Sequence, residues 1–451
     1  MKLNRRQVVK GMAALPLAML LPGCAKKADE NVLEVAVFNG GYGIDFYQNK
    51  AKEFAENYPE KLTPKGASKP LTIKVWGTPR VWTELQPRFV KGDVPDICWP
   101  GWGMDYWKLI AEGQIAPVDE YLSEQAFDQK KPWKDTFVQS LLRKGQFNGK
   151  QYIVAVNNNV LGWWYDADLF SKNGWMPPRT YPELLSVCKE IKAKGIEPIT
   201  YQGKYLYYVL AGFVYPWVIS LAGVDAFNDA QDLKPGAWKS PAFLQAAVMV
   251  AELRDREYFA AGALGKTHLQ AQTDFASGKA AIIPCGTWLA NENKQDFEAH
   301  PNFKLTFLMP STVPGGKGDP TAIGTGTEDW VLPAKSKHPQ IAMEFFKFLT
   351  SLENSKQFVR AKQTFTTIIG SEKTELPENL QDAAVAFGRS KTIWSAQYQQ
   401  WYPGLKKNTE DAMKKLLSGD YTPQQCVDAM EQAAQKIRDE KTIIKHTVNR
   451  G

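Results

Sequence analysis

The sequence predicts an α/β fold in two lobes, and three observations carry that prediction. The chain has 451 residues, more than one ordinary hydrophobic core accommodates. Short apolar runs at 32–38, 71–76 and 95–99 alternate with stretches of helical period, the pattern of a βαβαβ unit with a parallel sheet. All three runs end in loops that combine glycine with aromatic residues, and open α/β sheets bind ligands at the carboxyl ends of their strands.

Composition is that of a soluble globular chain, with 44% apolar and 23% charged residues. Aromatics are in excess: 15 Trp, 17 Tyr and 22 Phe. Trp and Tyr offer a flat apolar face with a polar tip, which suits pyranose rings; a large two-lobed core calls for the same side chains. The formal charge of +7 is inflated by residues 1–23, where Lys2, Arg5, Arg6 and Lys10 stand without any acid and leave +3 for the rest. No Lys/Arg cluster interleaves with aromatics, which excludes nucleic acid as a partner. Nothing suggests an acidic ligand.

Residues 1–24 read as a targeting segment. Arg5-Arg6-Gln7-Val8-Val9-Lys10 is a basic region, and the apolar run 12–21 after it is too short to span a bilayer. Leu21-Pro22-Gly23-Cys24 resembles a bacterial lipobox, in which the Cys24 thiol would carry diacylglycerol. The paired arginines are similar to a twin-arginine signal, but Asn4 and Val8 depart from it, so both export routes stay open. Residues 25–31 form a solvated tether. Export permits disulfides, and Cys98, Cys188, Cys285 and Cys426 allow three pairings. None lies in a C-x-x-C pair and all sit in apolar segments, which favours free buried thiols.

In the first lobe, Asn39-Gly40-Gly41-Tyr42-Gly43 follows the first run. Asp45 can cap a helix with Tyr47, Ala51, Phe54 and Tyr58 at helical spacing. The loop is not G-x-G-x-x-G and no G-K-[ST] follows, so it fits a neutral ligand better than a phosphate. Thr78-Pro79 opens the next helix, and Pro100-Gly101-Trp102-Gly103 follows the third run. Asn148-Gly149 marks a hairpin. Apolar runs at 154–156 and 161–165 flank Asn157-Asn158-Asn159. A strand at 199–202 leads into Gly203-Lys204-Tyr205-Leu206-Tyr207-Tyr208, the start of a helix that also carries Trp217. Residues 243–256 form a helix with apolar positions at 244, 247, 248 and 251. A small-residue strand at 325–330 holds Glu328, Asp329 and Trp330, and the amphipathic helix 341–349 follows. Trp394 and Trp401 lie in irregular sequence, where one of them can reach a cleft. A last helix sets Val427, Met430, Ala434 and Ile437 on one face.

The stretch 270–292 organises the second lobe. Phe275 anchors a helical turn, Gly278 breaks it, and 280–283 is a buried strand leading to Pro284-Cys285-Gly286-Thr287-Trp288. The bend at Gly286 lets backbone approach a ligand closely and delivers Trp288 to the sheet's edge; Trp288 as ordinary core is the alternative. The phrase G-K-A-A-I-I-P-C-G-T-W resembles the strand, glycine and tryptophan signature of the extracellular solute-binding proteins of ABC sugar importers. With E-L-Q-P-R-F-V-K-G-D-V-P-D-I at 84–97 and Y-Q-G-K-Y-L-Y-Y at 201–208, the chain is similar to their N-acetylglucosamine/diacetylchitobiose-binding branch. The likeness keeps its order over most of the mature chain. It includes N-G-K-x-Y at 148–152 and W-Y-x-x-x-L-F at 164–170, where that family crosses between lobes.

The resemblance implies a type II periplasmic-binding-protein-like fold with an interlobe ligand cleft and a hinge. Lobe I would take 32–156 and 326–364, and lobe II 157–325 and 365–451. It implies a monomer anchored through Cys24 at the outer face of the cytoplasmic membrane or facing the periplasm. Such a protein captures a neutral mono- or oligosaccharide and hands it to ABC transporter permease subunits, with no cofactor. Loop position and resemblance together assign ligand contact to Asn39, Gly41, Tyr42, Trp76, Trp99, Trp102, Lys204, Tyr205, Tyr207, Tyr208, Gly286, Trp288, Glu328 and Trp330. Trp288, with Trp102 or Trp99, would clamp the ring faces; Asn39, Tyr42, Lys204, Tyr205 and Glu328 would bind hydroxyl or acetamido groups. A different neutral sugar, or a sensor on the same fold, stays open.

A secreted glycan hydrolase is the enzyme alternative. It needs two carboxylates about 5 to 9 Å apart around the bond. Glu328-Asp329 is the only acidic pair near the expected cleft, and neighbours in extended backbone point to opposite faces. The four histidines are scattered, and no H-E-x-x-H, G-x-S-x-G or EF-hand spacing occurs. No catalytic or metal-binding residue is assigned.

Overall fold

The computed structural model of the protein describes residues 31–101 and 103–450. The leader with Cys24, and Trp102, lie outside the described residues. The strands are β1 (Val32–Val37), β2 (Thr72–Trp76), β3 (Ile97–Trp99), β4 (Gln146–Phe147), β5 (Lys150–Gln151), β6 (Ile153–Asp166), β7 (Glu197–Ile199), β8 (Ala280–Gly286), β9 (Leu305–Leu308), β10 (Ile323–Val331), β11 (Phe365–Thr366) and β12 (Ile393–Trp394). One large mixed sheet runs β2-β1-β3-β10-β6-β8-β7, with β9 and β11 also on β6 and β12 on β10.

Two parallel clusters lie at the ends of this sheet. β1 pairs in parallel with β2 and β3, as the alternation of strands and helices predicts, and β7 pairs in parallel with β8. Between them, β6 and β10 run antiparallel to each other. The first part of β6 pairs with β10, and its last residues pair with β8 and β9. The fold is therefore two-lobed, with two long strands shared between the lobes.

The sequence suggests two apolar runs broken by three asparagines, whereas β6 is one continuous strand of 14 residues. Asparagine is disfavoured in strands because its side chain competes for backbone hydrogen bonds. Here that competition is used. Asn157 Oδ1 accepts from the Glu328 N–H at 2.9 Å, where the register of β10 slips between Thr327 and Asp329.

Several helices start or face differently from the sequence expectation. Helix Asp45–Asn57 has Ile44 at its N-cap with no side-chain bond; Asp45 pairs instead with Lys362 Nζ at 2.6 Å. Tyr47, Ala51 and Phe54 face the core as expected. Helix Pro241–Asp255 buries Phe243, Ala246, Ala247 and Val250, while Val248 is 40% exposed. Neighbouring helices cover it on several sides, among them Pro423–Asp439 and Pro403–Ser418, so burial there does not follow one stripe. Val427, Met430 and Ala434 of the last helix are buried as expected.

The turn signals hold. Asn148 and Gly149 both take positive φ, 49° and 76°, as a two-residue hairpin turn requires, and β4 pairs with β5 around them. Gly278, at φ 73°, follows helix His268–Ala276. Cys98, Cys188, Cys285 and Cys426 are each buried and free. Among the described residues no single helix is long and apolar enough to cross a membrane.

Candidate binding site

The site is built on the slip in β10. Backbone alternation sends Glu328 and Asp329 to opposite faces, and the two carboxyls meet different surroundings. On one face, Glu328 accepts from the Tyr47 hydroxyl at 3.2 Å. Burial pushes its carboxyl up to about 7; hydrogen bonds from Tyr47, Trp99 and Asn157 act against that rise, and nearby Asp329 adds to it. Next to it, the Tyr42 hydroxyl donates to Asn159 Oδ1 at 2.5 Å and lies within hydrogen-bonding distance of Thr364 Oγ1 at 2.9 Å. Thr364 Oγ1 also lies 2.7 Å from Thr287 Oγ1. This polar knot ties together β6, the loop after β1, the residue after β8 and the residue before β11.

On the other face, Asp329 Oδ1 accepts from the Thr327 hydroxyl at 2.8 Å, and Oδ2 accepts from Gln400 Nε2 at 2.5 Å. Burial raises the Asp329 carboxyl; the bonds from Gln400 and Thr327, and the Lys144 ammonium, hold the rise in check. Lys144 is driven down to about 8 by desolvation, with Asp329 opposing. Its stem is only half-buried, so solvent softens that shift. Lys144 Nζ also reaches Thr325 Oγ1 at 3.4 Å.

Asp329 opens onto a narrow cleft with about 50 Å³ of water-accessible space, partly open to solvent. Trp107, Lys144 and Gly145 line it from the β1–β3 lobe. Tyr207, Gln400 and Trp401 line it from the other lobe, and Thr325, Gly326, Thr327 and Asp329 form its floor. The cleft thus combines carboxylate, amide, ammonium and hydroxyl groups with three large rings. That mixture hydrogen-bonds a polar guest and covers its apolar faces.

Of the residues assigned from sequence, Tyr207 lines this cleft. Gly41, Tyr42, Tyr208, Gly286 and Trp288 come together elsewhere, at a direct contact between the lobes. The Gly41 N–H donates to Glu292 Oε1 at 3.2 Å, and Asn291 Nδ2 donates to the Gly41 carbonyl at 2.5 Å. Gly41 has φ +46°, and a Cβ there would sit 3.4 Å from Trp288 Cβ. The Trp288 ring folds back over Gly286, where a Cβ would lie 2.0 Å from the ring. Tyr208 meets its edge, with centroids 6.1 Å apart. The glycine bend therefore admits the protein's own indole.

The remaining assigned residues are dispersed. Trp330 is 1% exposed and stacks on Phe346 at 5.3 Å, so its ring belongs to the core. Trp99 is equally buried, edge-on to Phe38. Trp76 donates to Glu34 Oε1 at 2.7 Å, which Arg88 also holds. Glu328 faces away from the cleft. Asn39 is half-buried at the start of its loop, and Lys204 and Tyr205 are exposed, Tyr205 against His268.

Sequence reasoning passed over Asp329, Lys144, Gln400 and Trp107. Asp329 carried a signal, as one of the only acidic pair near the cleft; isolated Lys, Gln and Trp carried none. Of the two late tryptophans, Trp401 lines the cleft. Trp394 packs over Gly324, where a Cβ would come within 2.6 Å of its ring.

Comparison with known proteins gives one family and a consistent set of relatives. The family model of the bacterial extracellular solute-binding protein matches residues 44–356. The diacetylchitobiose binding protein of Streptomyces coelicolor is 24% identical over 433 residues, covering 94% of this chain and 88% of that one. The multiple sugar-binding protein of Streptococcus mutans is 25% identical over 398 residues, covering 86% and 88%. Among solved structures, a chitin oligosaccharide binding protein superimposes with a TM-score of 0.74 at 20% identity, covering 90% of this chain and 98% of that one. A solute-binding protein from Thermotoga lettingae gives 0.71 at 17% identity, covering 90% and 99%. At these identities the structures establish the fold.

Proposed function

This chain belongs to the bacterial extracellular solute-binding protein family, and from that premise we propose that it captures an N-acetylglucosamine- or chitobiose-type sugar in the cleft above Asp329 for an ABC importer. The observation that carries this reading is the cleft's make-up. Asp329, preset by Thr327 and Gln400, offers acceptors to hydroxyl or amide N–H groups. Lys144 donates from the opposite charge. Tyr207, Trp107 and Trp401 supply flat walls. Cation and anion balance, which favours a neutral polar guest over a charged one. The names of the relatives, diacetylchitobiose and sugar binders, point the same way.

Capture works by closure about the shared strands. The chain passes between lobes near Asn157–Asn159, near 325–328 and near 364–366, in support of a division into 32–156 with 326–364 and 157–325 with 365–451. A guest that touches both lobes shifts the population toward the closed state by its extra affinity for that state. An affinity near micromolar corresponds to roughly −8 kcal/mol, within reach of a few hydrogen bonds and stacked rings. We read the chain as a binder and not a hydrolase, because Glu328 and Asp329 on opposite faces cannot flank one bond. Cys24 would carry the lipid that holds this monomer beside its permease.

Calorimetric titration tests the reading. N-acetylglucosamine or its disaccharide is expected to bind, with glucose and maltose weaker. Binding of maltose but of neither amino sugar would overturn it.

A further inference from the structure

We propose that the segment following helix Pro423–Asp439 is a strap across the rim of the cleft, and that His446 on it is a positioning residue for the Trp401 ring. The second half of this inference rests on the cleft being the binding site; the first half does not need a ligand.

The strap, 441–450, has no regular secondary structure, yet it is tied down along its length. The His446 N–H donates to the Tyr402 hydroxyl at 2.7 Å. The Val448 N–H donates to Asp232 Oδ1 at 2.7 Å. The Arg450 guanidinium meets Asp225, Asp229 and Asp232 at 3.1, 2.7 and 2.5 Å. Those three acids recur on one face of helix Val224–Gln231 and at its C-cap. Ordering each residue costs backbone entropy, and ion pairs reached by a side chain that stays partly exposed return little of it. Ring contacts must therefore contribute much of the docking energy.

The His446 ring makes such contacts to both lobes. It stacks on Trp401 with centroids 5.4 Å apart and planes 19° apart, and it lies 6.0 Å from Tyr402. These two residues pack with helix Pro403–Ser418 in the second lobe. On its other side His446 meets Trp107 at 5.2 Å and Phe147 at 6.0 Å, both from the β1–β3 lobe. Trp107 and Trp401 are themselves cleft walls. One imidazole thus backs a wall from each lobe and bridges them. Burial drives His446 down to about 4, so at neutral pH the bridge is ring against ring and carries no charge.

The test reads interlobe distance without sugar. Spin labels go on Val90→Cys and Met176→Cys, whose native side chains are 83% and 77% exposed on the two lobes, in the full chain carrying Cys24→Ser. The four other thiols are buried. His446→Ala is expected to shift the pulsed-resonance distances to longer, broader values, and Arg450→Ala to do the same more weakly. His446→Phe, which keeps a flat ring in the stack, is expected to restore the original distribution. In calorimetry with diacetylchitobiose, His446→Ala is expected to weaken binding several-fold and His446→Phe to recover it. Unchanged sugar-free distances in His446→Ala overturn the strap. A shift that His446→Phe leaves uncorrected overturns ring stacking as its cause. Failure of the unaltered protein to bind any amino sugar overturns the proposed function, while the sugar-free distances still decide the strap.

Discussion

The two faces of β10 at its slip hold the same ingredients and enclose different things. Each has a buried carboxyl, tyrosine hydroxyls or rings, and a tryptophan nearby. On the Glu328 face the protein satisfies itself: Tyr47 and Asn157 engage Glu328 and its backbone, and Glu292 and Asn291 take the N–H and the carbonyl of Gly41. On the Asp329 face the same kinds of group border open space. Glycine and aromatic loops therefore mark where backbones approach closely. Whether the approach admits a ligand or another part of the chain is a separate matter.

Four measurements would break or sharpen this contrast. The largest effect is expected from Asp329→Ala on the open face: loss of a charged acceptor should cost about 3 kcal/mol of sugar affinity, roughly a hundredfold or more by calorimetry. A change of less than about threefold would move the ligand away from this face.

Glu328→Gln, on the closed face, should instead act on stability. The folded pKa of Glu328 is raised to about 7 from 4.5, so the folded state holds a proton that the unfolded state has lost. The stabilisation is fully present below 4.5 and fades as pH rises toward 7, by up to about 1.4 kcal/mol per pH unit. The glutamine variant should flatten that slope in thermal unfolding across the same range, with sugar affinity little changed.

Trp401→Ala comes next, with an expected loss of about 1 kcal/mol in affinity from one stacked ring. The smallest effect is expected from Trp288→Ala. Its ring lies over Gly286 and against the edge of Tyr208, so sugar affinity should change by less than about 0.5 kcal/mol, below an aromatic stacking contribution. A loss as large as that of Trp401→Ala would put the guest between the lobes at Gly41 and restore Trp288 as a clamp.

The α/β class, the parallel β1–β3 unit, the hairpin at Asn148-Gly149 and the stops at Gly278 and Gly286 were legible in the sequence, because each rests on local chemistry: apolar period, turn propensity, or a backbone only glycine tolerates. The family was legible too, since its phrases are contiguous. The facing of individual side chains was not. Glu328 and Asp329 differ by one position, and only the way β10 is seated in the sheet decides which of them meets the cleft. Lys144, Gln400 and Trp107 lie far apart in the chain and none has a local signature; packing of the two lobes around β6 and β10 brings them to one cavity. Trp99 and Trp288 look like ring clamps in sequence, and Trp330 like a ligand contact, because a tryptophan has the same composition in a core as in a cleft. Only tertiary contacts show what each ring packs against: Phe38 for Trp99, Gly286 and Tyr208 for Trp288, and Phe346 for Trp330.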